Sequence, residues 1–385
     1  MASAHLLVLV HGMWGNPGHL AELNRIILDT IHDPALHVLC AETNREDSTY
    51  DGIDWGGERV AQEISDEVEK LARDGRTVTR FSITGYSLGG LVARYVVGYP
   101  SLISSITSTL GPKLLSRTGE QFYCVDKWSA HGRPLLEVMA DPDRIFYQAL
   151  AAFETIRIYA NAVNDLTVPY VTAAIELEDP FAAHRTNGLE IELDEKHSPL
   201  IKSYALPPVP PPPTPKPTPD RPFLPPVLQF RFPMNILLYT ALPLLAPVLL
   251  SLIVVRLSLA TRSSRARIKL LERDASASNT QRLVHVLAQL EHQVETAVVD
   301  LVIDDAEPPA RACSSSKAAR DQPILTPTQR RIAAALNRLP ILRERAWFPD
   351  ARNSHAVIIC RDVRNFEAHR AGEGVLRHWA GAFVL

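Results

Sequence analysis

The segment Gly85-Tyr86-Ser87-Leu88-Gly89 constrains this chain more than any other. It reads Gly-x-Ser-x-Gly and stands between an apolar run, residues 79–84, and a helix-like run, residues 90–97. A strand, a sharp turn and a helix in that order form a nucleophile elbow. The flanking glycines relieve crowding in the strained turn, and the serine oxygen is held out at the helix N-terminus. Ser87 is therefore the candidate nucleophile, with Gly85 and Gly89 as the residues that let its turn close.

The chain around the elbow alternates strands with helices. Leu6-Leu7-Val8-Leu9-Val10 is a short apolar run, as expected of a strand buried on both faces. A helix is predicted near 17–30 and a strand at 37–40. A second helix follows at 58–71, where Val60, Ile64, Val68 and Leu71 share one face. This alternation argues for an α/β fold with a mostly parallel sheet covered by helices. At 385 residues and 46% hydrophobic content, the chain can bury a substantial core in one large or two modest domains.

A nucleophilic serine that transfers acyl groups needs oxyanion donors, a base and an acid that orients the base. One donor is expected from the residue after the nucleophile, the N–H of Leu88. The other is expected from the loop after the first strand, His11-Gly12-Met13-Trp14-Gly15, most plausibly the N–H of Met13. His11 and Gly12 read as residues that shape this loop. The acid should follow a later strand, and residues 155–160 lead into Asn164-Asp165 and a closing Pro169. Asp165 fits best; Asp143 and Asp179 also sit in loops, without a strand end before them. The histidines beyond it are His184, His197, His285, His292, His355, His369 and His378. A strand is expected at 345–348, and the loop after it ends at His355, the favoured base. His378 reads as a packing residue of a C-terminal helix, and His369 is the reserve.

These residues carry a resemblance. Val10-His11-Gly12-Met13-Trp14-Gly15-Asn16-Pro17, the serine motif with Gly90, Asn164-Asp165 with Val168-Pro169-Tyr170, and Asn353-Ser354-His355-Ala356 look like the lipase-like serine esterases found widely in fungi, whose members include lipid-droplet phospholipases. The resemblance covers residues 5 to about 205 and 320–385. It implies an α/β-hydrolase fold, hydrolysis of carboxylic esters of lipids without a metal or organic cofactor, and a triad of Ser87, Asp165 and His355. One departure stands out. Similar proteins carry a Thr-Pro-His-Leu-Gly-like stretch after the nucleophile helix, and here residues 102–113 lack it and look shortened.

Composition narrows the setting. A formal net charge of -3 gives no sign of nucleic-acid binding. Cys40, Cys124, Cys313 and Cys360 are scattered without metal-ligand spacing, which suits reduced thiols in a cytosolic compartment. The run 6–10 is too short for a cleavable signal peptide, so the catalytic part is expected to stay in the cytosol. Nine of the thirteen residues at 207–219 are proline and predict a stiff spacer; their PxxP spacing would also suit an SH3-type partner.

Residues 236–255 are uncharged and apolar, long enough to be a transmembrane candidate. Arg256, Arg262, Arg265, Arg267 and Lys269 follow and would suit anionic headgroups on a cytosolic surface. Ser87 and Asp165 precede this segment and His355 follows it, so a single straight span would separate the triad across the membrane. An active enzyme needs the segment to leave on the side it entered, or to lie in the interface. Pro243 and Pro247 would break a straight helix. Each arm would be about ten residues, roughly 15 Å if helical, which is about half a bilayer core. A shallow hairpin in a lipid-droplet monolayer or in one leaflet of the endoplasmic reticulum fits, with an interfacial helix pair or a lid as alternatives.

The expected organisation is a first hydrolase part (1–205), a proline-rich linker (206–233), a hydrophobic membrane-associated segment (234–260), a basic and helical insertion with a flexible linker (261–320), and a C-terminal hydrolase part (321–385). The expected substrates are glycerophospholipids or acylglycerols. Acyl transfer to another alcohol by the same triad is one alternative. A non-catalytic membrane adaptor with a degenerate core is the other.

Overall fold

The computed structural model describes residues 2–98, 116–129, 132–207, 259–269 and 325–384, together with 248, 251–252 and 255–256. The shortened region at 102–113, the proline-rich stretch after Pro207, most of the apolar run, and Cys313 lie outside the described residues.

Strand β1 (Ala2–Val10) is the centre of a three-stranded parallel sheet, flanked by β2 (Leu36–Cys40) and β3 (Arg76–Gly85). Helix α1 (Ala21–Thr30) connects β1 to β2, and helix α2 (Ile53–Arg73) connects β2 to β3. Successive side chains of a strand point to opposite faces, and β1 uses both. Leu7 and Leu9 pack with Leu23, Ile26 and Ile27 of α1 on one side. Leu6, Val8 and Val10 pack with Val60 of α2 and with Val92 and Val96 of helix α3 (Leu88–Gly98) on the other. This two-sided burial is why β1 reads as an unbroken apolar run. Each such Leu or Ile contributes about 1.5–3 kcal/mol over its exposed state.

Short helices α4 (Arg117–Phe122), α5 (Leu135–Ala140) and α6 (Ile145–Ala151) lead to β4 (Ile156–Asn161) and then to α7 (Tyr170–Ala174). Strands β5 (Glu190–Leu193) and β6 (Ile201–Ala205) form an antiparallel hairpin. Residues 259–269 are helical (α8). Helix α9 (Pro327–Leu336) starts at a capping box, with Thr326 Oγ1 accepting the Gln329 N–H and the Gln329 side chain accepting the Thr326 N–H. Strand β7 (Ile341–Ala346) then pairs in parallel with β4 along its full length, from Ile156↔Ile341 to Asn161↔Ala346. Helix α10 (Glu373–Gly381) closes the chain and packs on α1. The strand expected at 345–348 thus begins earlier and ends at Ala346. Trp347 and Phe348 leave it as buried or half-buried loop residues, which is why their apolar character suggested a strand.

The N-terminus of α2 has no capping side chain of its own, because Gly52 stands at that position with a φ of 113°. Helix α4 supplies the acceptors instead. Thr118 Oγ1 accepts the Gly52 N–H at 3.0 Å, and Gln121 Oε1 accepts the Ile53 N–H at 2.6 Å. Asp54, 2% exposed, sits in the first turn of α2 and is forked by Arg117, with further bonds from Gln121 and the Trp128 indole. Burial pushes its carboxyl up, but the Arg117 charge and these donors hold it below the usual carboxylate range. Removing Arg117 would leave a buried carboxylate unpaired. Arg117→Ala should therefore lower stability by about 3–5 kcal/mol, read by chemical denaturation.

One turn along α2, Glu58 accepts from the Tyr95 hydroxyl at 3.3 Å. Burial and the neighbouring Asp54 charge push its carboxyl up to about 7. Between an ordinary Glu value near 4.5 and that value, the folded chain holds a proton that the unfolded chain has lost. Stability should fall as pH rises through this window and level off above it. Glu58→Gln should flatten that slope in thermal melts taken from pH 4 to 8.

Candidate active site

The sheet register fixes where the chemistry can assemble. Val10 and Gly85, the last residues of β1 and β3, are direct partners, so the loop at 11–15 and the serine turn leave the sheet side by side. The Tyr86 N–H donates to Val10 O at 2.9 Å and ties the two together. Ser87 has a φ of 55°, in the left-handed region. Such strain in a non-glycine residue persists only when its surroundings over-determine it. Here the Gly89 N–H bonds Tyr86 O at 2.8 Å and the Gly90 N–H bonds Ser87 O at 2.9 Å. A Cβ on Gly85 would lie 2.2 Å from Gly89 O, and one on Gly89 would lie 2.1 Å from Val10 O. Both motif glycines are therefore required by backbone contact.

The partners of Ser87 come from the other parallel pair. Asn161 and Ala346 end β4 and β7 opposite each other, so the loops at 162–169 and 347–355 also leave together. They are laced by polar bonds. The Asn164 amide donates to Phe348 O and Pro349 O, each at 2.9 Å. The Ser354 N–H donates to Asn164 O, and its hydroxyl donates to Val163 O at 2.8 Å. Asn353 Oδ1 accepts the N–H groups of Leu166 and His355.

These loops bring the three predicted residues into one chain of hydrogen bonds. Ser87 Oγ lies 3.1 Å from His355 Nε2, and His355 Nδ1 lies 2.9 Å from Asp165 Oδ2. Asp165 Oδ2 also accepts from the Asn161 amide at 2.8 Å. Oδ1 accepts the N–H groups of Thr167 and Val168. Burial pushes the Asp165 carboxyl up, but the His355 and backbone bonds outweigh it and hold the group below its ordinary range. An ionised acceptor at Nδ1 assigns the ring proton to that nitrogen and leaves Nε2 free to accept from the serine.

Tyr86 fixes His355 a second time. Its hydroxyl donates to His355 O at 2.9 Å, and the two rings lie 5.0 Å apart. Sequence reasoning passed over Tyr86 and Asn161. The only available signals were their places, inside the serine motif and four residues before Asp165.

His11 is 3% exposed, and its Nδ1 bonds Gly12 O at 3.0 Å. The Gly15 N–H bonds the same oxygen at 3.1 Å. The ring therefore shapes the loop, as its sequence position suggested, and burial lowers its pKa. Among the described residues, neither the Met13 N–H nor the Leu88 N–H is committed to another acceptor, which leaves both available to an oxyanion. Gly12 packs against the serine, its position for a Cβ only 3.0 Å from Ser87 Cβ. The other candidates lie elsewhere. His378 Nδ1 bonds the Tyr159 hydroxyl, His369 bonds the Asp362 N–H, and Asp179 caps the turn at Phe181. His285 and His292 are outside the described residues.

The arrangement predicts a specific loss. Asp165→Asn keeps the loop but removes the charge that sets the His355 tautomer. Covalent reaction of Ser87 with a fluorophosphonate should slow by roughly 10⁴, read as the rate of labelling.

Residues 1–107 and 101–176 match the family described as "Putative serine esterase (DUF676)". The two stretches meet inside the region that looks shortened, include Ser87 and Asp165, and stop before His355. The chain is also 28% identical over 207 residues to "Putative lipase C4A8.10" of Schizosaccharomyces pombe. That alignment takes in 46% of this chain and 26% of the relative, so the chain spans about a quarter of the relative's length. No solved structure matches. Over residues 1–176, somewhat less than half of its length, the chain is similar to serine esterases of this family, and the relative's name places lipases among what it resembles.

Proposed function

We propose that this chain is a serine hydrolase of the α/β-hydrolase fold that cleaves acyl esters of lipids, glycerophospholipids or acylglycerols, at a membrane or lipid-droplet surface on its cytosolic side. The observation that carries the reading is the bond chain from Ser87 through His355 to Asp165 at the C-terminal ends of parallel strands. It is supported by the uncharged run 236–255, which gives a lipid surface something to hold.

In this mechanism His355 Nε2 takes the Ser87 proton as Oγ attacks the ester carbonyl. Asp165 stabilises the imidazolium that forms, without itself becoming protonated. The N–H groups of Met13 and Leu88 receive the charge that develops on the carbonyl oxygen. His355 then gives its proton to the leaving alcohol. Water, activated by the same nitrogen, releases the acyl group and restores Ser87. The strained turn holds Oγ at the start of α3, where the positive end of the helix favours negative charge.

The triad also constrains topology. Ser87 and His355 are within hydrogen-bond reach although the apolar run lies between them in sequence. A shallow hairpin or an interfacial arrangement satisfies this, and a straight span does not. Among the described residues no helix is long and apolar enough to cross a membrane.

The test is fluorophosphonate labelling together with turnover of a short-chain p-nitrophenyl ester. The parent chain should label and turn over, and Ser87→Ala and His355→Ala should lose both. Equal labelling of the parent and the Ser87→Ala variant would overturn the assignment.

A further inference from the structure

Helix α8 is not a free arm. Ala260, Thr261, Ser264 and Ile268 are buried, so one face of it is covered. Arg267 reaches across to Asp51, whose side chain has no exposed surface, with Nη2 2.8 Å from Oδ1 and Nε 3.2 Å from Oδ2; Nη2 also donates to Asp47 O. Asp51 is paired at the same time with Arg59 of α2 at 2.9 Å. Arg267 was expected to face lipid headgroups with its neighbours. It is instead a bolt between the insertion and the core.

The bolt sits beside the oxyanion loop. Tyr50, the residue before Asp51, accepts a 2.7 Å bond from the Trp14 indole, and Trp14 follows Met13. The Trp14 N–H is held by Thr49. A run of direct contacts therefore joins α8 to one rim of the catalytic mouth.

The residues described just before α8, at 248, 251–252 and 255–256, are helical as well. Val248, Leu252, Val255 and Leu259 are each 54–59% exposed. At about 100° per residue Leu259 stands on the side of α8 opposite its buried face. Exposed cations flank them at Arg256, Arg262 and Lys269, and the sequence holds no Asp or Glu between Arg221 and Leu271. Exposed apolar residues beside exposed cations match the chemistry of an anionic lipid interface, apolar below and negative at the headgroups.

We propose that Val248, Leu252, Val255 and Leu259 form a docking stripe for an anionic lipid surface, and that the Arg267–Asp51 pair fixes the angle at which the docked chain presents its catalytic mouth to that surface. The proposal rests on the lipid-esterase reading, and it separates two tasks within it. The stripe provides attachment. Arg267 is a positioning residue, acting through Asp51 and the Tyr50–Trp14 contact.

The experiment uses the full chain and vesicles of phosphatidylcholine with or without phosphatidylserine, measured by flotation. It also uses turnover on the same vesicles, divided by turnover of a dissolved short-chain ester. The parent should float better with phosphatidylserine present. Replacing two apolar anchors, in Leu252→Glu/Leu259→Glu, should weaken flotation roughly tenfold or more. Arg267→Gln should still float while its vesicle-to-dissolved ratio falls several-fold, and Arg267→Lys should recover part of that ratio. Asp51 keeps Arg59 in these variants, so the core retains its pair. Unchanged flotation of the double variant overturns the docking stripe. An Arg267→Gln variant that loses both turnovers in proportion overturns the positioning role. A parent that floats but neither labels nor hydrolyses would sink the esterase reading and leave the stripe standing. One that labels without floating does the reverse.

Discussion

Two parallel strand pairs that end in register are what the site depends on. β1 and β3 finish together at Val10 and Gly85, and β4 and β7 finish together at Asn161 and Ala346. In a parallel pair both strands deliver their following loops to the same end, so one pair presents the loop of Met13 with the turn of Ser87, and the other presents the loop of Asp165 with the loop of His355. The triad closes where the two pairs of loops meet, with Ser87 Oγ 3.1 Å from His355 Nε2 and His355 Nδ1 2.9 Å from Asp165 Oδ2.

That alignment needs local support, since loops do not hold sub-ångström geometry by themselves. The support is polar and mostly between main chain and short side chains: Asn164 to the 348–349 carbonyls, Ser354 to Val163, Asn353 to two N–H groups. Asn, Ser and Asp do this well because their side chains reach neighbouring backbone groups at little entropic cost. The Tyr86 hydroxyl adds a hydrogen bond from the serine turn to the histidine backbone, so nucleophile and base are tied a second time beside the Oγ–Nε2 contact.

The same economy of contacts ties segments distant in sequence to the core beside the site. α4 supplies the missing cap of α2, and Arg117 neutralises Asp54 at that junction. Nearby, Asp51 takes Arg59 from α2 and Arg267 from α8. Buried carboxylates at the start of α2 thus act as anchor points for segments that arrive from elsewhere in the chain. An apolar contact could hold such a segment, but a forked ion pair also sets its angle.

The sequence by itself determined the main elements and which residues stood as candidates for the site. An apolar run, a Gly-x-Ser-x-Gly turn and a helical stripe are local patterns, and local sterics decide them, so β1, β3, α2 and Ser87 were legible at once. Asp165 and His355 were legible by chain order and by the strands ahead of them, although the second strand proved to end at Ala346, two residues before the expected limit. Tertiary structure decided everything that depends on meeting partners far apart in the chain. Tyr86 gained a role only because the His355 carbonyl, 269 residues away, lies against it. Arg267 read as one more cation in a basic run until Asp51, 216 residues earlier, was found in its reach. A charge's role depends on the burial and sign of what it faces, and neither is written in its neighbours along the chain.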